Sequence, residues 1–424
     1  MFRFVHAADL HLDSSFTGIR NTHPDVGEIL RQATFEAYDN LIKLCIEREV
    51  DALLIAGDVF DGATHSLPGQ TKFEKGLERL HKHGIRTFIC HGNHDPLNSW
   101  DAGLRIPDTA HRFGSEPSCV PVYPDSPTSP VVCGVSYPTK EVRKTLLGDF
   151  PSRDSKQFTI GLLHASVGAD SAHGSYAPCT IEELAAVGCD YWALGHVHTR
   201  AVKHQENPCV VYSGNTQGRH PNETGARGVY VVDVDDDHHI EMEFVPVDSV
   251  RWEQLHVDIQ DITSLLDLDE RLTQMVDGLR LEAEGRSLAY RIRLYGRGHL
   301  HTLLAETDNS IDELRTQLNE TWQGQRPFAW CGEIDDKTRS EIDRDQLRKR
   351  TDFIGDFLKF TKEMSQDQNL RNSLKEELTP LFENRGAKRY LDHILRTEAD
   401  AKALMEAAED AALDLLVTED RDAG

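Results

Sequence analysis

Within the first two hundred residues, five short apolar runs each end in side chains able to bind a metal ion. Asp9 and His11 follow Phe2 to His6, and Asp58 and Asp61 follow Ala52 to Ala56. Asn93, His94 and Asp95 follow Ile85 to Cys90, His164 ends the run from Thr159, and His196 and His198 follow Tyr191 to Leu194. Apolar runs of this length alternating with helical text predict strands joined by crossover helices, in a largely parallel or mixed sheet. The helices are legible as well. Phe35, Tyr38, Leu41, Ile42 and Cys45 recur at helical spacing, and Leu77, Leu80 and His81 belong to a second helix. Strand ends of such sheets are where α/β proteins gather their ligands.

From Val131 the strand signals crowd together: Val131 to Val135, Thr159 to His164, Tyr191 to Leu194, Val210 to Ser213 and Val229 to Val234. Two sheets packed face to face would accommodate them. The Pro- and Ser-rich text from Ser115 to Pro130 predicts a surface excursion. Near Asp248 the texture changes. Residues 249–336 alternate helix-like and strand-like text, with Tyr290, Ile292 and Leu294 facing one way and Arg291, Arg293 and Tyr295 the other. Residues 337–424 are charged and helical, with one apolar stripe at Phe353, Phe357 and Leu358 and another at Leu404, Ala408, Ala411, Ala412 and Leu415. The expected organisation is therefore residues 1–248, a small α/β domain over 249–336, and a helical segment over 337–424.

A chain of 424 residues is long enough for two or three domains. Its net charge of -25 repels polyanions at long range, so contact with nucleic acid would require a local basic patch, a metal site or a partner. Twenty-one histidines beside that acidity supply the inventory of a metal site. Eight cysteines without a C-x-x-C pair predict reduced, buried thiols rather than a disulfide frame or zinc knuckle. No apolar run approaches the ~20 residues of a membrane span, and the N-terminus lacks the build of a secretion signal, so a cytoplasmic protein is expected.

Taken singly, a histidine near a strand end is more often structural, and a Gly-Asp pair usually marks only a turn. The ordered set is more specific: Asp-x-His, Gly-Asp-x-x-Asp, Gly-Asn-His-Asp, His, and Gly-His-x-His. Two cations need a shared carboxylate, with imidazoles and neutral oxygens completing their shells, and Asp58 can bridge. Glycines beside Asp58, Asn93 and His196 are expected to let the chain turn sharply there.

These blocks resemble the calcineurin-like metallophosphoesterases over about the first 220 residues. The resemblance implies a four-layer α-β-β-α sandwich with a small α/β capping domain. It assigns Asp9, His11, Asp58 and His198 to one divalent ion and Asp58, Asn93, His164 and His196 to another, with manganese as the expected metal. His94 becomes the histidine facing the scissile phosphate, and Asp61 its hydrogen-bond acceptor. Asp95 is read as a supporting or turn residue. Two ions held there would activate water and neutralise charge on the phosphoryl oxygens.

The stretches His6 to Asp13, Leu53 to Asp61 and Ala193 to His198 are similar to the SbcD-like bacterial DNA-repair exonucleases, and Gly214-Asn215-Thr216-Gln217-Gly218-Arg219-His220 to the YhaO-type proteins. That branch implies a DNA exonuclease or endonuclease working with an SMC-like coiled-coil ATPase, the helical segment serving as the docking element, and it admits a homodimer. Two readings stand for Arg219 and His220: contacts to DNA phosphates, or a turn leaving a strand. Two stand equally for Arg291 and Arg293: phosphate contacts, or a solvated strand face balanced by Glu282 and Glu284. The competing functions are a phosphodiesterase or phosphatase acting on nucleotides or phosphoproteins, and a non-catalytic clamp, which the complete ligand set disfavours.

Overall fold

Along the strand Ala52–Ala56 every residue is buried. Leu53 and Ile55 enter one apolar cluster while Ala52, Leu54 and Ala56 enter another. A strand apolar on both faces must lie between layers. In the computed structural model it does. The structure describes the chain apart from residues 13, 15–23, 63–65, 100–103, 149, 151–156, 169–175, 307–308, 323, 367–403, 414 and 417–424.

Two six-stranded sheets form the body of the protein. From edge to edge the first runs Ile240–Pro246, Gly228–Val234, Phe2–Ala7, Ala52–Ala56, Arg86–Cys90 and Ala110–Arg112. Its last four strands are parallel, and the first two pair antiparallel. The second runs Ser118–Pro121, Val131–Gly134, Thr159–His164, Tyr191–Gly195, Cys209–Tyr212 and Ala201–His204, with a parallel core and antiparallel edges. Period-two alternation then sorts the side chains. Phe4, Leu54 and Phe88 meet Ile160, Leu162, Tyr191 and Ala193 between the sheets.

On the outer face of the first sheet, Leu41, Ile42 and Cys45 of the helix Pro24–Glu47 and Phe73, Leu77 and Leu80 of Leu67–Lys82 cover Val5, Leu53, Ile55 and Ile89. On the far side of the second, Leu184 of the helix Ile181–Val187 packs with Trp192, Leu194 and Val210. That helix opens with a capping box between Thr180 and Glu183. The layers are α-β-β-α, as the resemblance implied.

The two sheets touch closely at one pair of strand ends. A methyl group on Gly195 would overlap the carbonyl oxygen of Ala56. His164 reaches across from the second sheet, its Nδ1 2.9 Å from that same oxygen. Nearby, His6 spans the interface, with Nδ1 3.0 Å from the Tyr191 hydroxyl and Nε2 3.2 Å from the Leu194 carbonyl.

Two expectations need correction. Ser118–Pro121, inside the stretch read as a surface excursion, is an edge strand of the second sheet. Cys119 lies directly across from Cys133 in the antiparallel ladder, and the two form a disulfide, whereas all eight cysteines were expected to be free. Strand register created that pair, and spacing alone does not show it. The other six thiols are buried and free as expected.

Val250–Asp258, Ser287–Arg297 and Ala329–Arg339 form a third sheet. On Ser287–Arg297, Tyr290, Ile292 and Leu294 are buried while Arg293 and Tyr295 are exposed, following the alternation in the sequence. The chain divides into two compact units. One comprises residues 1–257, 269–293 and 309–335, the other residues 258–268, 294–308 and 336–424. In the second unit, Ile354 and Leu358 are buried with Leu413, so the two apolar stripes partly cover each other. Phe353, Phe360 and Leu415 stay exposed. No helix among the described residues is long and apolar enough to cross a membrane.

Gly195→Ala should destabilise the protein by about 1–3 kcal/mol through overpacking at the sheet contact, read as a lowered denaturant midpoint. An unchanged midpoint would show that the contact can relax. His6 supplies a second measurement. Burial pushes its imidazole down to about 3, so the native state stays neutral below pH 6.5 while the unfolded chain takes up a proton. Stability attributable to His6 is full above about pH 6.5 and is lost at about 1.4 kcal/mol per unit as pH falls towards 3. Urea titrations of wild type and His6→Gln at pH 7 and pH 5 should diverge by that slope; parallel curves would rule it out.

Candidate metal centre

Asp9, Asp58 and Asn93 follow the C-terminal ends of three adjacent parallel strands of the first sheet. His164 is the last residue of its strand in the second sheet, and His196 follows the neighbouring strand. The loops are tied by backbone hydrogen bonds from Asp9 N to Gly57 O (3.1 Å) and from His11 N to Asp58 O (3.0 Å). Asp95 bears out its supporting role. Its buried carboxylate accepts from the amides of Asp58 (3.2 Å), Val59 (2.8 Å) and Gly92 (2.9 Å), bracing two ligand-bearing turns at once.

The backbone here is strained. Asp9, His11, Asp58 and His196 have φ of 51°, 44°, 52° and 96°, values that favour glycine. Non-glycine residues held this way cost about 1–3 kcal/mol each and gather at functional sites. Of the three glycines expected to permit turns, only Gly57 (φ 89°) does so. Gly92 and Gly195 instead leave space for Asp58 and His164 and for the Ala56 carbonyl.

All seven side chains named from the sequence converge. Asp9, His11 and His198 each offer a donor atom within 4.8 Å of the others, as do Asp9, Asp58 and His164. Asn93 Oδ1 lies 3.0 Å from His164 Nε2 and 3.2 Å from His196 Nδ1. His164 Nε2 is 3.4 Å from Asp58 Oδ2. With Nδ1 donating to Ala56, Nε2 is the nitrogen that His164 turns towards the oxygens of Asn93 and Asp58. His11 and His198 likewise set Nε2 against Nε2 at 3.2 Å. Carboxylate, imidazole and carboxamide donors in this arrangement fit divalent cations.

The electrostatics follow from the same packing. Burial pushes His11 down to about 3, and Arg219 adds to the effect, so the imidazole is neutral. Burial alone would raise Asp58, but His164, His11 and His94 outweigh it and hold the carboxyl well below its usual range. For His164 burial is opposed by Asp58 and Asp9, which lift it to about 9. His94 Nδ1 lies 2.8 Å from Asp61 Oδ1, and that hydrogen bond raises the His94 pKa. The His94 amide donates to Asp58 Oδ1 at 2.9 Å.

Of the residues read as DNA contacts, Arg219 reaches the site: its Nη1 lies 3.0 Å from Asp61 Oδ2 and 2.7 Å from Ser14 Oγ. His220 Nδ1 accepts from the Asn222 amide within its own turn. Arg291 and Arg293 pair across the third sheet with Glu333 (3.3 Å) and Asp335 (3.0 Å) rather than with Glu282 and Glu284. Two site residues escaped the sequence reading. Ser14 donates to Asp61 Oδ2 at 2.6 Å, and Glu223 Oε1 lies 2.6 Å from His198 Nδ1. Neither stands in a motif; Glu223 is joined to His198 only by folding.

Known proteins share this organisation. Residues 2–200 match the calcineurin-like phosphoesterase family, and residues 252–339 match the middle domain of metallophosphoesterase YhaO. A Bacillus subtilis protein described as an uncharacterized metallophosphoesterase, YhaO, is 33% identical over 347 residues, covering 81% of this chain and 84% of that protein. The DNA double-strand break repair protein Mre11 of Methanocaldococcus jannaschii is 23% identical over 250 residues, covering 54% of this chain and 62% of its own. Mre11 of Thermoplasma acidophilum is 22% identical over 320 residues, 71% of this chain and 81% of that protein. On these matches the chain belongs to the calcineurin-like metallophosphoesterases and carries the YhaO-type middle domain.

Proposed function

We propose that this protein is a metal-dependent nuclease that hydrolyses phosphodiester bonds in DNA, acting in the cytoplasm in DNA repair beside an SMC-like ATPase. The observation that carries the reading is the His94 and Asp61 pair, 2.8 Å apart, set against a carboxylate-imidazole-carboxamide cluster that fits two divalent cations. The break-repair relatives favour DNA over smaller phosphoesters.

Asp9, His11, Asp58 and His198 would hold one ion, and Asp58, Asn93, His164 and His196 the other, with Mn2+ the metal proposed. Bound there, such ions would supply Lewis acidity to a phosphoryl group and lower the pKa of water. The remaining work falls to side chains. Asp61 commits His94 Nδ1, so Nε2 is the nitrogen left for the substrate. A protonated His94, favoured by Asp61, would stabilise charge on the phosphoryl oxygens or give a proton to the departing alkoxide. Arg291 and Arg293 would exchange their carboxylate partners for DNA phosphates, a binding mode weakened by salt. The exposed Phe353 and Phe360 in the second unit are the proposed surface for the ATPase.

With Mn2+, the purified chain should degrade labelled single- or double-stranded DNA at low salt. Hydrolysis of a nitrophenyl phosphodiester with DNA left intact would favour a small-molecule phosphodiesterase instead. His94→Asn should keep its metal content by elemental analysis while turnover falls ~10²- to 10⁴-fold; near-wild-type turnover would remove His94 from the mechanism. Phe353→Asp with Phe360→Asp should abolish co-purification of an SMC-like ATPase without changing hydrolysis of the nitrophenyl ester. Undiminished capture would place the partner elsewhere.

A further inference from the structure

The turn from Arg219 to Glu223 closes on itself through one carboxylate. Glu223 N donates to His220 O at 2.8 Å, and Glu223 Oε2 accepts from Arg219 N at 2.7 Å. The other oxygen, Oε1, takes the Nδ1 proton of His198 at 2.6 Å. Burial would raise this carboxyl, but the bonds from His198 and from the Arg219 amide bring it down to about 2, so it is an anion at neutral pH. The Glu223 side chain is only 17% exposed, and its two partners leave little freedom to rotate.

The two ends of that carboxylate lead to different parts of the site. Through His198 it fixes which imidazole nitrogen faces His11 and Asp9. Through the Arg219 backbone it fixes the start of the side chain whose Nη1 bridges Ser14 and Asp61. Asp61 in turn holds His94. The path from Glu223 to His94 therefore consists of three hydrogen-bonded contacts, through Arg219 and Asp61, each within 3.0 Å.

We infer that Glu223 is a positioning residue with two outputs, retention of metal through His198 and alignment of His94 through Arg219 and Asp61. The inference rests on the reading of the site proposed above. It also gives Arg219 a duty besides phosphate contact, since its Nη1 is committed to Asp61. An ion pair that merely secured the turn would serve neither end.

The test uses the full chain. Mn2+ is titrated into chelator-stripped protein by calorimetry, and kcat and KM are measured on a nitrophenyl phosphodiester at saturating Mn2+. Glu223→Ala should weaken Mn2+ binding about 10- to 100-fold, the usual penalty for losing a partner behind a metal ligand. At saturating Mn2+ it should still show a lowered kcat with KM unchanged, because the Arg219 arm is lost as well. Glu223→Gln, whose amide oxygen accepts only part of this load, should fall between Glu223→Ala and wild type in affinity, and it is the variant judged if Glu223→Ala fails to fold by circular dichroism. Arg219→Met cuts only the second arm and should keep wild-type Mn2+ affinity with kcat reduced. A raised KM in that variant with kcat intact would make Arg219 a phosphate contact and overturn the second output. Wild-type affinity in the Glu223 variants would overturn the first. If the wild-type chain binds Mn2+ but leaves the ester intact, the proposed function fails, while the affinities still decide the metal-retention output by themselves.

Discussion

The carbonyl oxygen of Ala56 is where the two sheets are joined at the site. It ends a strand of the first sheet, accepts from His164 of the second, and fits against Gly195 because that residue has no side chain. The contact decides the chemistry of His164. A proton fixed on Nδ1 leaves Nε2 free to act as a ligand, and the ring is aimed at Asn93 and Asp58. A single backbone acceptor thus fixes the spacing of the layers, the tautomer of one ligand and the direction of its lone pair. Were one of these strands to slip by one residue in its own sheet, its side chains would change faces, and the groups of the two sheets would no longer share a centre.

Strain and support are distributed unequally around that contact. Four residues of the candidate centre adopt a left-handed backbone, summing to several kcal/mol by the usual scale. Such a conformation persists only if its surroundings over-determine it. Here the bracing is polar and buried: three amides converge on Asp95, and the Asp9 carboxylate accepts from the His196 amide at 3.1 Å. The apolar layers on either side, with Phe88, Leu162 and Ala193 between the sheets, make the framework stiff enough to bear this.

The sandwich was legible in the sequence because its strands are buried on both faces and its helices show a clear 3.6-residue period; both are local signals. The seven side chains that converge at the candidate centre were legible because each sits within a few residues of a strand end. Glu223, Ser14 and the pairing of Cys119 with Cys133 were not, since each depends on register or loop closure between segments with no common spacing. The partners of Arg291 and Arg293 were misplaced for the same reason. Glu282 and Glu284 are near in sequence, but cross-strand neighbours on a sheet are set by pairing, which brought Glu333 and Asp335 instead. Gly92 and Gly195 teach a related lesson. Beside a ligand they looked like turn residues, yet what they provide is room.

The charge of the chain poses the remaining question, and the composition of the ligand set bears on it. A protein at -25 should repel a phosphate backbone, and Arg291 and Arg293 of the third sheet are already paired with carboxylates. As ligands to divalent ions, Asp9 and Asp58 would be the anionic members of the proposed set of seven, and the other five would serve as neutral imidazoles or a carboxamide. Two divalent ions would bring four positive charges against those two carboxylates, leaving the cluster net cationic inside an acidic molecule. A site richer in aspartate would bind the ions more tightly but cancel the field that draws an anionic substrate. The neutral donors therefore do more than complete coordination shells. With ions bound, they would let a strongly acidic protein present a locally positive surface at the proposed site of phosphodiester cleavage.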